Sequence, residues 1–312
     1  MFQYSAVILL SLWTAIAVAA PSCEIFDARD YRRYTCSGFH SPGDFLTHVR
    51  REPSAKPTWF ELVDSQLPSL PPAAFAGLNV TILELRRVEL RRFDPTTIPS
   101  DNPFGGLENT LRRLTFSLGT LPSSLSLLSG LRQLEELELV HYGRLRLTRD
   151  FNHLPKSLKT LYIADATIES IESGWIRDLV NLESLIFRGT DLAHFSRDLL
   201  PMPAPRFTTL DLPTNKLTFF PVGLGDDLPA LNYINLFKNL IPMLREQDLA
   251  PLRNKVAVVD MMFNPVHCDC NLSFILDYPS TWHFFLCASP RELRDEYISN
   301  VHHNQLKCER NA

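Results

Sequence analysis

The chain has 312 residues, 31 basic and 35 acidic side chains, and a formal net charge of −4. Its 45% hydrophobic and 21% charged composition is that of a folded globular protein and excludes a disordered or collagen-like chain. The mildly acidic balance argues against a general nucleic-acid binder.

Residues 1–20 carry no charge, and Ala6 to Ala19 is a nearly continuous apolar run ending in Ala17-Val18-Ala19. A small-x-small ending on a run too short to span a bilayer reads as a cleaved signal peptide over residues 1–19. Pro21 disfavours a cut after Ala20, which leaves the bond after Ala19. No second apolar segment follows. The mature chain is therefore expected to be released in soluble form, without a membrane span or lipid anchor.

The cysteines lie at the two ends: Cys23 and Cys36, then Cys268, Cys270, Cys287 and Cys308. In an exported chain this distribution reads as disulfides. A zinc site at His267-Cys268-Asp269-Cys270 is the competing reading, but C-x-C is tighter than the usual zinc spacing. Two glycosylation sequons begin at Asn79 and Asn271.

Residues 57–264 are periodic. Nine segments, beginning at Pro57, Val80, Leu111, Leu134, Leu158, Leu182, Phe207, Leu231 and Val256, follow L-x-x-L-x-L-x-x-N-x-L. Their spacings are 23, 31, 23, 24, 24, 25, 24 and 25 residues, and this is the leucine-rich repeat signature. Within each x-L-x-L-x core, alternation sends the leucines inward and the x residues outward, as in a strand. One repeat cannot bury its apolar edge alone, so neighbours stack into a continuous core. The expected architecture is an α/β repeat: a curved solenoid with about nine parallel strands on its concave face, roughly 40 Å long at the usual strand spacing. Return segments such as 70–78 supply inward Phe and Leu along the convex side.

Only Asn215, Asn239 and Asn264 fill the Asn position; Ser65, Val88, Gly119, Tyr142, Ala166 and Thr190 replace it elsewhere. Val88 and Ala166 offer no amide, so the N-terminal half is expected to be less regular, with other partners for its backbone. The long second repeat places a loop insertion near Asp94–Asn109.

Residues 265–312 read as a cap over the exposed end of the core. Asn264-Pro265-Val266-His267-Cys268-Asp269-Cys270, then Trp282, Cys287-Ala288-Ser289-Pro290-Arg291-Glu292-Leu293 and Cys308 resemble the C-terminal cap of extracellular leucine-rich repeat proteins. That resemblance implies the pairs Cys268–Cys287 and Cys270–Cys308. At the other end, residues 20–56 resemble the matching N-terminal cap around Tyr34-Thr35-Cys36-Ser37-Gly38, with Cys23–Cys36 as its simplest bridge and 37–56 as an irregular lead. The resemblance is to Slit-like proteins, Toll-type ectodomains and matrix repeat proteins as a group. It implies binding rather than catalysis.

No hydrolase, metalloprotease or phosphate-binding motif is present in the sequence, so neither an enzyme activity nor a cofactor is expected. The outward column between the central leucines reads Glu61, Glu84, Thr115, Glu138, Tyr162, Ile186, Asp211, Asn235 and Asp260. Apolar members are the informative ones, because water disfavours them there. Tyr162 and Ile186 lie on adjacent repeats, Tyr233 and Phe237 share one strand, and Met262 and Phe263 follow on the next. They form a candidate protein-binding patch, with packing under the cap as the alternative for Phe237, Met262 and Phe263. Arg86, Arg87, Arg112 and Arg113 form a basic edge that would suit a sulfated glycan, although Glu84 and Glu89 are interleaved with it. The resulting expectation is a secreted protein that recognises an extracellular protein partner through its concave face. Recognition of microbial glycan or lipid, or inhibition of an enzyme, are the alternatives.

Overall fold

The structure is a computed structural model describing residues 20–51, 55–93 and 102–306. The expected signal segment 1–19, the first half of the insertion (94–101) and Cys308 lie outside the described residues.

The chain begins with a hairpin of β1 (Ser22–Asp27) and β2 (Arg32–Ser37). Nine strands follow, one per repeat: β3 (Thr58–Leu67), β4 (Val80–Leu90), β5 (Arg113–Ser117), β6 (Glu136–Val140), β8 (Thr160–Ala164), β10 (Ser184–Arg188), β11 (Thr209–Asp211), β12 (Tyr233–Asn235) and β13 (Val258–Asp260). They join β1 and β2 in one eleven-stranded sheet, parallel throughout except for the β1–β2 pair. Strands β7 (Arg144–Leu147) and β9 (Thr167–Ile171) form a separate pair beside it.

The inward positions make the core. Leu83 and Leu85, Leu137 and Leu139, Leu210 and Leu212 are all buried, at about 2 kcal/mol for each fully buried Leu. The return segments add one large group per turn, among them Phe75, Phe104, Phe151 and Trp175. Phe151 packs edge-on to Trp175 at 5.1 Å, and Trp175 stacks on Phe187 at 5.9 Å. In the long second repeat Phe104 and Leu107, within the stretch 94–109 expected as a loop insertion, are buried and keep this pattern, so the C-terminal part of that stretch belongs to the return segment.

Two devices satisfy the backbone where each strand ends. In the last three repeats a buried Asn amide bridges adjacent turns. Asn239 donates to Leu212 O at 2.8 Å and accepts from Leu217 N at 3.0 Å. Asn264 does the same with Leu236 O and Ile241 N. In the early repeats, where Asn is missing, the strands run on instead. β3 and β4 reach 10 and 11 residues, so Ser65 and Val88 sit opposite each other in the ladder. The β7–β9 pair follows Tyr142 and Ala166 in the same way, and Leu145, one place late in the repeat pattern, is buried there.

Every turn then reverses through one left-handed residue, from Gly38, Asp64 and Arg87 through Thr214, Lys238 and Phe263, with φ between 47° and 69°. Only two of these ten turns use Gly, so the other eight accept a conformation that L residues seldom adopt because the stacked turns impose it.

Of the stretch 37–56 expected as an irregular lead, residues 37–51 form regular structure. β2 pairs in parallel with β3, placing Tyr34 opposite Phe60 and Cys36 opposite Leu62. Tyr34 and Cys36 thus take inward positions, Gly38 takes the left-handed turn, and helix α1 (Gly43–His48) buries Phe45 on the return. This is one further turn of the solenoid. The Cys23–Cys36 disulfide ties β1 across it. At the other end Trp282 is buried over the last repeat and donates to Val256 O at 3.2 Å, and Cys268 is bonded to Cys287. Cys270 is also disulfide-bonded, so neither thiol of the 267–270 run is left to hold zinc.

Candidate functional site

The register of the sheet makes the outward column continuous. Glu61, Glu84, Thr115, Glu138, Tyr162, Ile186, Asp211, Asn235 and Asp260 are neighbours on successive strands. Thr35 extends the row on the added N-terminal turn.

The first half of the row is a network of charges. The Glu61 side chain is only 2% exposed and accepts from Arg33 Nη2 at 2.6 Å and Nε at 2.9 Å. Thr35 Oγ1 adds a third bond at 3.2 Å, and Arg86 stands 3.5 Å from its other oxygen. Arg33 lies over the Trp59 ring, 4.1 Å from its centre. Arg33 and Trp59 are members of this face that the repeat pattern did not reveal, because Arg33 precedes the recognisable leucines. Further along, Thr115 donates to Glu138 at 2.8 Å, and Arg113 pairs with Glu136 at 2.6 Å.

Burial pushes the carboxyls of Glu84, Glu138 and Asp211 above their ordinary range, and like charges add to it: Glu61 for Glu84, Glu136 for Glu138 and Asp260 for Asp211. One oxygen of Asp211 is buried without a hydrogen-bond partner among the described residues. A carboxyl raised in the folded state adds most stability below its unfolded pKa. That contribution is lost as pH climbs through the folded value. Glu84→Gln, which keeps the shape without the charge, should therefore raise the melting temperature at pH 7.5. The advantage should vanish at pH 4, where Glu84 itself is protonated. A variant that melts lower than wild type at pH 7.5 would contradict this.

The second half of the face mixes apolar side chains with Asp211, Asn235 and Asp260; β12 and β13 end at Asn235 and Asp260, so Phe237, Met262 and Phe263 follow their strands rather than lie on them. Tyr162 and Ile186 are half-buried and directly paired across β8 and β10. Tyr233, Phe237 and Met262 are also half-buried, whereas Phe263 is 60% exposed. Phe263 meets Phe237 edge-on, with ring centres 5.2 Å apart. Phe263 is thus not covered by the C-terminal cap; its left-handed turn holds it out toward solvent.

The four arginines of the basic edge are each beside a carboxylate. Arg86 contacts Glu61 and Glu84, Arg87 pairs with Asp64, Arg112 lies 3.5 Å from Glu135 and Arg113 pairs with Glu136. Their charge is largely spent within the protein, which leaves little for a sulfated glycan. Among the described residues no group of three or more acidic, His or Cys side chains is placed to hold a metal ion, and no helix is long and apolar enough to cross a membrane.

No family profile matches the chain. It is 27% identical over 180 residues to Toll-like receptor 9 of Mus musculus; the match takes in 55% of this chain and only 17% of that receptor. Among solved structures it resembles human 5T4 (Wnt-activated inhibitory factor 1, trophoblast glycoprotein), with a TM-score of 0.55 and 21% identity over 94% of this chain and all of that one. It also resembles a chain in the octameric complex of Latrophilin 3, Unc5D and FLRT2, whose FLRT2 part is a leucine-rich repeat domain. That TM-score is 0.56, with 18% identity over 81% of this chain and 83% of the other. Repeat spacing, sheet register and these likenesses agree on the fold: the chain folds as a leucine-rich repeat solenoid, curved, with its parallel sheet on the concave face and disulfides at both ends.

Proposed function

We propose that this protein is secreted and recognises an extracellular protein partner through the C-terminal half of its concave face. The observation that carries the proposal is a set of apolar side chains on an otherwise polar sheet: Tyr162 beside Ile186, Tyr233 two strands further on, and Phe237 against the exposed Phe263. Rigid aromatic side chains on a preformed sheet bury large area at little entropic cost, which is the usual make-up of interface hot spots. Disulfides at both ends of the solenoid, and the resemblance of its caps to those of extracellular repeat proteins, support an oxidising, extracellular setting. The FLRT2 neighbour is found in a complex with other proteins, which supports a protein as the partner class.

The test is affinity capture from extracellular fluid, comparing wild type with the Tyr162→Ala, Tyr233→Ala double variant. Wild type should retain specific proteins at about 0.5 M salt, where exposed charge pairs are screened. The double variant should bind them at least about tenfold less tightly, a loss of about 1.4 kcal/mol or more. Equal retention by both would remove the concave face from the interface. Capture that salt abolishes, and that disappears when Arg86, Arg87, Arg112 and Arg113 are changed to Ala, would point to the basic edge instead.

A further inference from the structure

The two sequons sit in opposite environments. Asn79 closes the turn before β4 with φ 48°, and its Nδ2 donates to two backbone carbonyls, Ala55 O at 2.9 Å and Lys56 O at 3.0 Å. Its own carbonyl accepts from Thr58 N at 3.0 Å. Both amide hydrogens are engaged. The next sequon residue, Val80, is wholly buried, and Thr81 Oγ1 donates to Thr58 O at 3.3 Å. Asn79 thus pins the 55–58 segment to the start of the second repeat.

Asn271 is exposed near the start of the short 3-10 segment Cys270–Asp277 in the C-terminal cap. Its Nδ2 makes a single bond, to Asp269 at 3.1 Å, while its backbone N–H is capped by the same carboxylate at 2.9 Å. Among the described residues no protein acceptor meets its second amide hydrogen, and the residue is exposed. Leu272 is the buried member of this sequon, so the chain is anchored immediately behind an outward asparagine.

We propose that Asn271 is an N-glycosylation site and that Asn79, despite its sequon, remains unmodified in the folded protein. N-glycosylation joins Nδ2 to the anomeric carbon of an oligosaccharide carried on a lipid pyrophosphate. The new N–C bond replaces the C–O bond to pyrophosphate, the lipid pyrophosphate leaves, and the amide gives up one proton. At Asn271 that proton is the one not bonded to Asp269, and the sugar enters solvent from the exposed cap. At Asn79 the sugar would displace a hydrogen bond and enter a space where two carbonyls already stand within 3.0 Å. Chains modified there would lose the contact that closes the second turn and would not reach the folded state.

The inference rests on export, and the experiment separates the two. The full chain is expressed in mammalian cells with its own N-terminus and, in parallel, behind a heterologous signal sequence. Peptide-N-glycosidase treatment in heavy-oxygen water then marks each formerly glycosylated Asn by mass. The folded product should carry the mark at Asn271 and not at Asn79. Asn271→Gln should remove the whole glycan mass, whereas Thr81→Val, which destroys the other sequon but keeps Asn79, should leave it unchanged. A mark at Asn271 behind the heterologous signal alone keeps the site and overturns export by the native N-terminus. An unmarked Asn271 in both forms, or a marked Asn79 in the folded product, overturns the proposal.

Discussion

Replacing Asn215 by Ala should lower the free energy of unfolding by about 3–5 kcal/mol, a large share of the stability of an ordinary domain. The cause is the number of buried groups that depend on this one amide. Nδ2 donates to Phe187 O at 2.7 Å and lies within 3.2 Å of Leu212 O and 3.3 Å of Pro213 O. Oδ1 accepts from Thr190 N and Oγ1, both at 2.9 Å, and from Leu192 N at 3.3 Å. Alanine leaves donors and acceptors of two adjacent turns buried without partners, and each such orphan costs about 1–3 kcal/mol. Thr190→Val is the calibrating variant. Its hydroxyl gives one bond, to Asn215, so about 1 kcal/mol should be lost. Urea unfolding followed by circular dichroism measures both. A loss below about 1 kcal/mol for Asn215→Ala would mean that the strand-end backbone finds other partners here, as it does in the early repeats. Because each repeat of a solenoid leans on its neighbours, amide exchange should accelerate first at the boundary between the sixth and seventh repeats.

The legible part of this protein was the part that burial writes directly into sequence. Inward leucines recur because each strand has one wet and one dry face, so the nine strands and the outward column from Glu61 to Asp260 could be placed residue by residue. What stayed hidden involves substitutions that keep the physics and lose the letter. Tyr34 and Cys36 do the work of leucines, which concealed the first turn and with it Arg33, the main partner of Glu61. The side pair β7–β9 and the long β3 and β4 arise from what an absent Asn leaves unsatisfied, and no residue type announces that outcome. Exposure of Phe263 depends on its place in the left-handed column, which elsewhere holds Asp, Arg, Leu, His, Gly, Thr and Lys. A position that tolerates so many chemistries carries no sequence signal, and only the backbone shows which way its side chain points.

Gly119 lies between the two extended pairs of the early repeats, β3–β4 and β7–β9, and Gly119→Ala should cost about 2–4 kcal/mol. It occupies the Asn position of the third repeat, yet its backbone lies directly against that of Val88 in β4. A Cβ there would stand 2.5 Å from the Val88 carbonyl oxygen and 3.0 Å from its nitrogen. Both are main-chain atoms inside a sheet, so they cannot swing aside as a flexible side chain would. The next residue fixes the approach. Thr120 N donates to Val88 O at 3.0 Å, and Leu90 N donates to Thr120 Oγ1 at 2.9 Å. Making room for a methyl group means stretching these bonds and prising β5 from the end of β4. Gly143 is the matched control, because a Cβ there meets nothing within 4 Å. Gly143→Ala should change stability by less than about 0.5 kcal/mol. Thermal melts of the two variants decide the matter: equal stability of Gly119→Ala and Gly143→Ala would show that the close pass is not what holds the early repeats together. The expected gap between them carries a functional consequence. Thr115 on β5 sits between Glu84 and Glu138 and bonds the latter, so displacing β5 should loosen the charged half of the face before the other half feels it.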